Sequence, residues 1–161
     1  MLQGLGVYVS DVPEVSDQDS SFYSGDELIE MIDCAKYLAV NDYEGRMLAE
    51  RTGLSLADIA KRVDALIVTL GGEGSRIYTD GFVLDIPTVP PTELLDPTGC
   101  GDAYRAGLLY GIAQGWDWQR TGRLASILGS EKIAARGGQN HVVDRDRLAL
   151  LYDRHFGGAL W

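Results

Sequence analysis

The feature that most narrows the fold of this chain is Ala65-Leu66-Ile67-Val68-Thr69-Leu70, an uncharged run that passes straight into Gly71-Gly72-Glu73-Gly74. A short apolar run of this kind, ended by glycines, reads as a strand buried in a sheet. Tyr37-Leu38-Ala39-Val40, ending in polar Asn41, reads the same way. Around these runs lie stretches of helical spacing. Leu28, Ile29, Ile32 and Ala35 follow the acidic start Asp26-Glu27, Glu44 to Arg51 is stopped by Gly53, and Ser55 caps a short helix to Arg62. Strands alternating with helices predict a layered α/β domain with a largely parallel sheet. Ser75 to Thr79 and Phe82 to Ile86 flank Asp80-Gly81, the signature of a small β-hairpin.

Length and charge exclude several classes. The chain has 161 residues, enough for one full domain, and its formal net charge of −10 argues against nucleic-acid or anionic-membrane partners. Its longest uncharged stretch, Ala106 to Trp116, falls short of a membrane span. No basic residue precedes Lys36, so no secretory signal with a charged leader is expected, and a cytoplasmic location is. Two cysteines, Cys34 and Cys100, support neither a disulfide framework nor a four-thiolate zinc site. Between Asp11 and Asp33 there are eight acids and no base. Residues 1–24 are therefore predicted to be an irregular acidic lead-in, and residues 25–161 the ordered domain.

Two longer helical patterns follow Pro87 to Pro91, one from about Gly101 to Gln114 and one from about Trp118 to Arg136. In the first, Ala103, Gly107 and Gly111 form a small-residue stripe suited to close helix packing. Immediately before it stands Asp96-Pro97-Thr98-Gly99-Cys100-Gly101-Asp102. Glycines flanking one small residue let successive N–H groups turn inward, and the helix start adds its free donors and positive dipole end. The result is a phosphate-type anion hole made of backbone. Asp102 at its lip reads either as a general base for a substrate hydroxyl or as a plain helix cap. There is no G-x-x-x-x-G-K-[ST] loop, no complete G-x-G-x-x-G and no G-x-S-x-G elbow.

D-P-T-G-C-G-D resembles the D-T-x-G-A-G-D signature of the PfkB-type (ribokinase-like) carbohydrate kinases, which include adenosine kinases. Asn41-Asp42-Tyr43-Glu44 is similar to that family's N-x-x-E motif, and Val68 to Gly74 to its strand and glycine turn beside the nucleotide. The resemblance covers about Gly25 to His155 and implies a ribokinase-like three-layer α/β/α fold, with ATP and Mg²⁺ as cofactors. It makes Asp102 the general base and places the amides of Gly99, Cys100 and Gly101 on the γ-phosphate. Asn41 and Glu44 would organise Mg²⁺ through water; Thr69, Gly71, Gly74 and Gln139 would border the nucleotide. Asp96, with carbonyls of Arg136 to His141, would serve a monovalent cation such as K⁺. On the residues alone Asn41 and Glu44 also read as a strand end and a solvated glutamate, and Asp96 as a turn residue. Lys132 reads as a phosphate contact or a solvated helix lysine, and Cys100 as a thiol of depressed pKa or simply a small residue.

The matched motifs belong to the C-terminal half of that family's chain. The expected activity is ATP-dependent phosphorylation of an alcohol on a nucleoside or sugar, adenosine first and ribose or another sugar second. The alternative is an inactive nucleotide-binding or interaction fragment. Self-association, or pairing with a complementing N-terminal half, is expected from the open sheet edge.

Overall fold

The structure is a computed structural model that describes residues 7–9 (as backbone), 23–138, 140, 142 and 144–161. It contains two compact units, one running to Leu70 and including Arg76–Val83, the other made of Gly71–Ser75 and Leu84–Trp161.

In the first unit, β1 (Val7–Val9), β2 (Tyr37–Asn41) and β3 (Ala65–Thr69) pair in parallel, with Tyr37 opposite Ala65 and Asn41 opposite Thr69. β1 corrects the expectation that all of residues 1–24 are irregular. Its three residues are too few to announce a strand, and they become one by pairing with β2. α1 (Gly25–Cys34) joins β1 to β2, and α2 (Asp42–Thr52) with α3 (Leu56–Ala60) joins β2 to β3. Each helix starts on a side-chain cap: Ser24, Asn41 and Ser55 accept N–H groups of Glu27, Glu44 and Asp58. Leu38, Val40, Leu66 and Val68 from the strands pack with Ile32, Leu48 and Ile59 from the helices. Burial of Ala65, Leu66, Ile67 and Val68 in unbroken sequence is the pattern of a strand covered on both faces.

The sheet continues in the order β1-β2-β3-β4-β5, with β4 (Ser75–Thr79) and β5 (Phe82–Ile86) at the expected bounds. Asp80 and Gly81 have φ of 47° and 83°, the left-handed pair of a two-residue hairpin turn.

The second unit is built on α4 (Cys100–Ala113), α5 (Trp118–Ile133) and α6 (Arg145–Phe156). Its core gathers Leu124, Ile127 and Leu128 of α5 with Leu148, Leu151 and Tyr152 of α6, Ala103 of α4 and Val89. α6 had no counterpart among the predicted elements, although Asp144 caps it by accepting the Arg147 N–H. The small-residue stripe does what its spacing implies. A Cβ on Gly107 would lie 2.5 Å from Ala125 Cα, and one on Gly111 would lie 2.5 Å from Thr121 Oγ1. Among the described residues no helix is long and apolar enough to cross a membrane.

The contact at Gly107 has a measurable consequence. Alanine there gains about 1 kcal/mol of helix propensity, against about 1–3 kcal/mol of overpacking on a backbone that cannot give way. Gly107→Ala is expected to lower urea-unfolding stability, and Gly107→Leu to abolish cooperative folding; an unchanged midpoint in Gly107→Leu would remove the close-packing account.

Candidate active site

Asn41 and Thr69 close their strands at the carboxyl edge of the parallel sheet, where α/β folds bind ligands, and they are register partners. Asn41 Oδ1 accepts the Glu44 N–H at 2.8 Å, and Glu44 Oε2 accepts the Asn41 N–H at 2.8 Å. The N-x-x-E motif is thus a capping box opening α2. Glu44 Oε1 keeps no partner among the described residues, and Asn41 Oδ1 retains a second lone pair, so both can accept from a metal-bound water. Mg²⁺ retains most of its waters and needs only one or two carboxylates, so this donor set fits the ion through water. Among the described residues no group of three or more His, Cys, Asp or Glu forms a full cage.

In the second unit the loop before α4 is tied to the segment after α5. The N–H groups of Leu95 and Asp96 both donate to Ile133 O, at 3.0 and 3.1 Å. Asp96 Oδ1 accepts the Thr98 N–H at 2.9 Å, and Oδ2 accepts the Gly137 N–H at 2.8 Å. These backbone donors, Thr98 first, draw the Asp96 carboxyl down to about 2, with the Lys132 charge adding to the effect.

Gly99 then turns the chain into α4 at φ 83°, and a Cβ on it would meet Gly138 O at 2.9 Å. Conformation and contact both require glycine there. The N–H groups of Gly99, Gly101 and Asp102 have no acceptor among the described residues. Cys100 differs from expectation: its N–H closes a turn onto Pro97 O at 3.1 Å, so the free donors are those of residues 99, 101 and 102. Gly101 is the informative one. Its φ is not positive, and a Cβ would meet only Arg105 Nη1, at 3.9 Å. A helix glycine with open space beside it gives up about 1 kcal/mol relative to alanine. No contact within the described residues requires glycine at this position.

Asp102 lies on the first turn of α4 with its side chain 81% exposed, and Oδ1 accepts from Arg105 Nη1 at 3.1 Å. This is no side-chain cap: the N-cap is Gly99, without a side-chain bond. An outward carboxylate beside three free amides and a helix N-terminus is equipped to take a proton next to a bound anion. Arg105 was missed as its partner, although the i,i+3 spacing was visible.

Two other readings are decided by the structure. Lys132 is neither solvated nor turned outward: it is 0% exposed, and Nζ donates to Asp96 O and Ala135 O, each at 3.1 Å. Its register with Leu124 and Leu128 on the apolar face of α5 was the signal for burial. Burial raises the Cys100 thiol pKa rather than depressing it, the reverse of a reactive cysteine. Gly74 is fixed by packing, since a Cβ would lie 2.1 Å from Ile86 O, while Gly71 opens the single 3₁₀ turn Gly71–Glu73 with open space beside it. Gln139 lies outside the described residues, as does His141.

The Asp96 clamp predicts a pH signature. Its folded pKa is depressed, so its contribution to stability is present above the ordinary carboxylate range and fades as pH falls toward 2. The thermal midpoint of Asp96→Asn should lie below that of the parent at neutral pH and converge with it in acid. A gap that stays constant with pH would mean that the carboxylate charge is not what holds the loop.

Known proteins are similar to this chain in sequence and fold. The pfkB family carbohydrate kinase pattern matches residues 9–145, reaching further toward the N-terminus than the motifs alone suggested. The nucleoside kinase of Methanocaldococcus jannaschii is 34% identical over 138 residues, 86% of this chain and 46% of that protein. The ribokinase of Lactococcus lactis is 36% identical over 68% of this chain and 37% of its own length. Among solved structures, the nucleoside kinase of Burkholderia thailandensis in complex with inosine superposes with a TM-score of 0.84 at 44% identity, covering 85% of this chain and 45% of that one. This chain therefore spans less than half the length of such relatives. With the glycine turn into α4, the N-x-x-E cap and a family match over residues 9–145 in agreement, the chain belongs to the pfkB family of carbohydrate kinases and has its ribokinase-like α/β fold.

Proposed function

We propose that this chain carries the nucleotide-binding and proton-abstracting part of an ATP-dependent kinase acting on a hydroxyl of a nucleoside, with adenosine the first acceptor to test. The observation that carries the reading is the mouth of α4, where the Gly99, Gly101 and Asp102 amides are free and the Asp102 carboxylate stands exposed beside them. Asp102 accepts the proton of the acceptor hydroxyl as its oxygen bonds to the γ-phosphorus; the bond to the β–γ bridging oxygen breaks and ADP leaves. The amides and the helix dipole hold the charge on the transferring phosphoryl oxygens. Arg105 holds Oδ1 and leaves Oδ2 for the hydroxyl. Asn41 and Glu44 would hold Mg²⁺ through water, and the ion would supply positive charge to ATP phosphate oxygens. Thr69 and Gly71 border the nucleotide. The nucleoside-kinase relatives, one with inosine bound, favour a nucleoside over ribose as acceptor.

A second reading rests on coverage: the chain corresponds to 46% of the Methanocaldococcus jannaschii relative. Transfer needs both substrates held in line, so a nucleotide half-site without an acceptor pocket binds ATP and turns over little. Self-association, or a complementing N-terminal half, would then restore activity.

Phosphorylation of adenosine, inosine and ribose by the purified chain, alone and with the N-terminal half of a relative, separates the readings. Asp102→Asn is expected to lower turnover by about 10²–10⁴-fold while leaving ADP affinity nearly intact. Binding without turnover under every condition would favour the binding module; turnover that survives Asp102→Asn would remove the base assignment.

Gly101→Ala provides a second check. It should raise stability by up to about 1 kcal/mol, opposite to Gly107→Ala in the same helix, and weaken ADP binding. Unchanged ADP affinity in Gly101→Ala would take this amide out of the site.

A further inference from the structure

Asp96, which the family resemblance offers to a monovalent cation together with carbonyls of Arg136 to His141, already lends its own carbonyl to a cation of the protein. Lys132 Nζ donates to Asp96 O and to Ala135 O, each at 3.1 Å, and the residue is 0% exposed. The stem runs beneath the anion loop, its Cε 3.4 Å from where a Cβ on Gly99 would lie. Buried lysines are rare because losing water is costly, so one seated on two carbonyls marks a place where the fold needs positive charge. A lysine ammonium is a compact unit charge that only donates, which is what main-chain oxygens gathered round a cation require. A free alkali ion at these oxygens would face a fixed like charge at contact distance. The nearest carboxylate, Asp96, already accepts from the Thr98 and Gly137 amides.

We propose that the Lys132 ammonium is the resident cation of the anion loop, that it positions the Gly99 turn, and that no free monovalent ion binds at Asp96. Lys132 acts through the loop and is a positioning residue, not a catalytic one. The ADP part of the test rests on the proposed nucleotide site; the stability part does not.

The test compares the wild-type chain in potassium chloride and in tetramethylammonium chloride at equal ionic strength, by thermal unfolding and by ADP titration. The expected result is no shift of the midpoint and less than about a twofold change in ADP affinity. A midpoint or an affinity that rises with K⁺ overturns the proposal. Lys132→Met is expected to weaken ADP binding by about tenfold or more, and Lys132→Ala to regain part of its loss with K⁺ or methylammonium. A simple loss of packing would show no such rescue. Wild-type ADP affinity in Lys132→Met, or no rescue in a folded Lys132→Ala, also overturns it. If neither variant folds, the wild-type salt comparison decides. If the wild-type chain binds no ADP, the nucleotide reading fails by itself and the unfolding midpoints in the two salts still decide the Lys132 assignment.

Discussion

The second unit depends on one joint between stretches far apart in sequence, the loop before α4 and the segment after α5. Asp96 reaches across 41 positions to the Gly137 amide, Ile133 O takes two amides from the loop, and Gly99 lies so close to Gly138 that no side chain fits. Closing a loop of that length costs little more than closing a shorter one, so a few main-chain bonds suffice to hold it. Each of these contacts involves backbone on at least one side. What the joint fixes is therefore the direction of peptide groups, and the proposed chemistry needs donors that do not have to reorganise when charge develops.

Close helix packing supplies the rest of the rigidity. Gly107 lets α4 lie against the backbone of α5 at Ala125 and Gly111 makes room for the Thr121 side chain, while the Tyr104 hydroxyl on the second turn of α4 sits 2.6 Å from Ser75 Oγ. Burial pushes the Tyr104 phenol up to about 12, so that hydrogen bond persists without ionisation across the physiological range. The N-terminus of α4, with its free amides and dipole, is thus held by the packing of its interior, not by the loop alone.

What could be read from the sequence follows from how local each determinant is. The Asp80-Gly81 hairpin, the buried run of β3 and the Ser55 cap were legible because a few adjacent residues decide them. The turn into α4 was legible through its glycines, but not which of its amides stays free, since the Cys100 N–H goes to a carbonyl only three residues back. β1 was hidden because its partner β2 begins at Tyr37, some thirty residues from Val7. Lys132 was ambiguous for a related reason. A lysine in line with Leu124 and Leu128 conflicts with its own apolar stripe unless distant carbonyls meet it, and Asp96 lies 36 residues away.

The capping box of α2 shows why structural and chemical readings of one motif need not compete. Asn41 and Glu44 each spend one acceptor on the other's backbone N–H, and this fixes the first turn of α2 directly after β2. The carboxylate keeps its second oxygen, Oε1, without a partner among the described residues, as an acceptor for a metal-bound water. The bonds that hold the two side chains also remove their rotamer freedom, so a hydrated ion beside them meets donors that are already ordered. A glutamate free to rotate would have to be ordered when the ion arrived; this one is ordered when the helix forms.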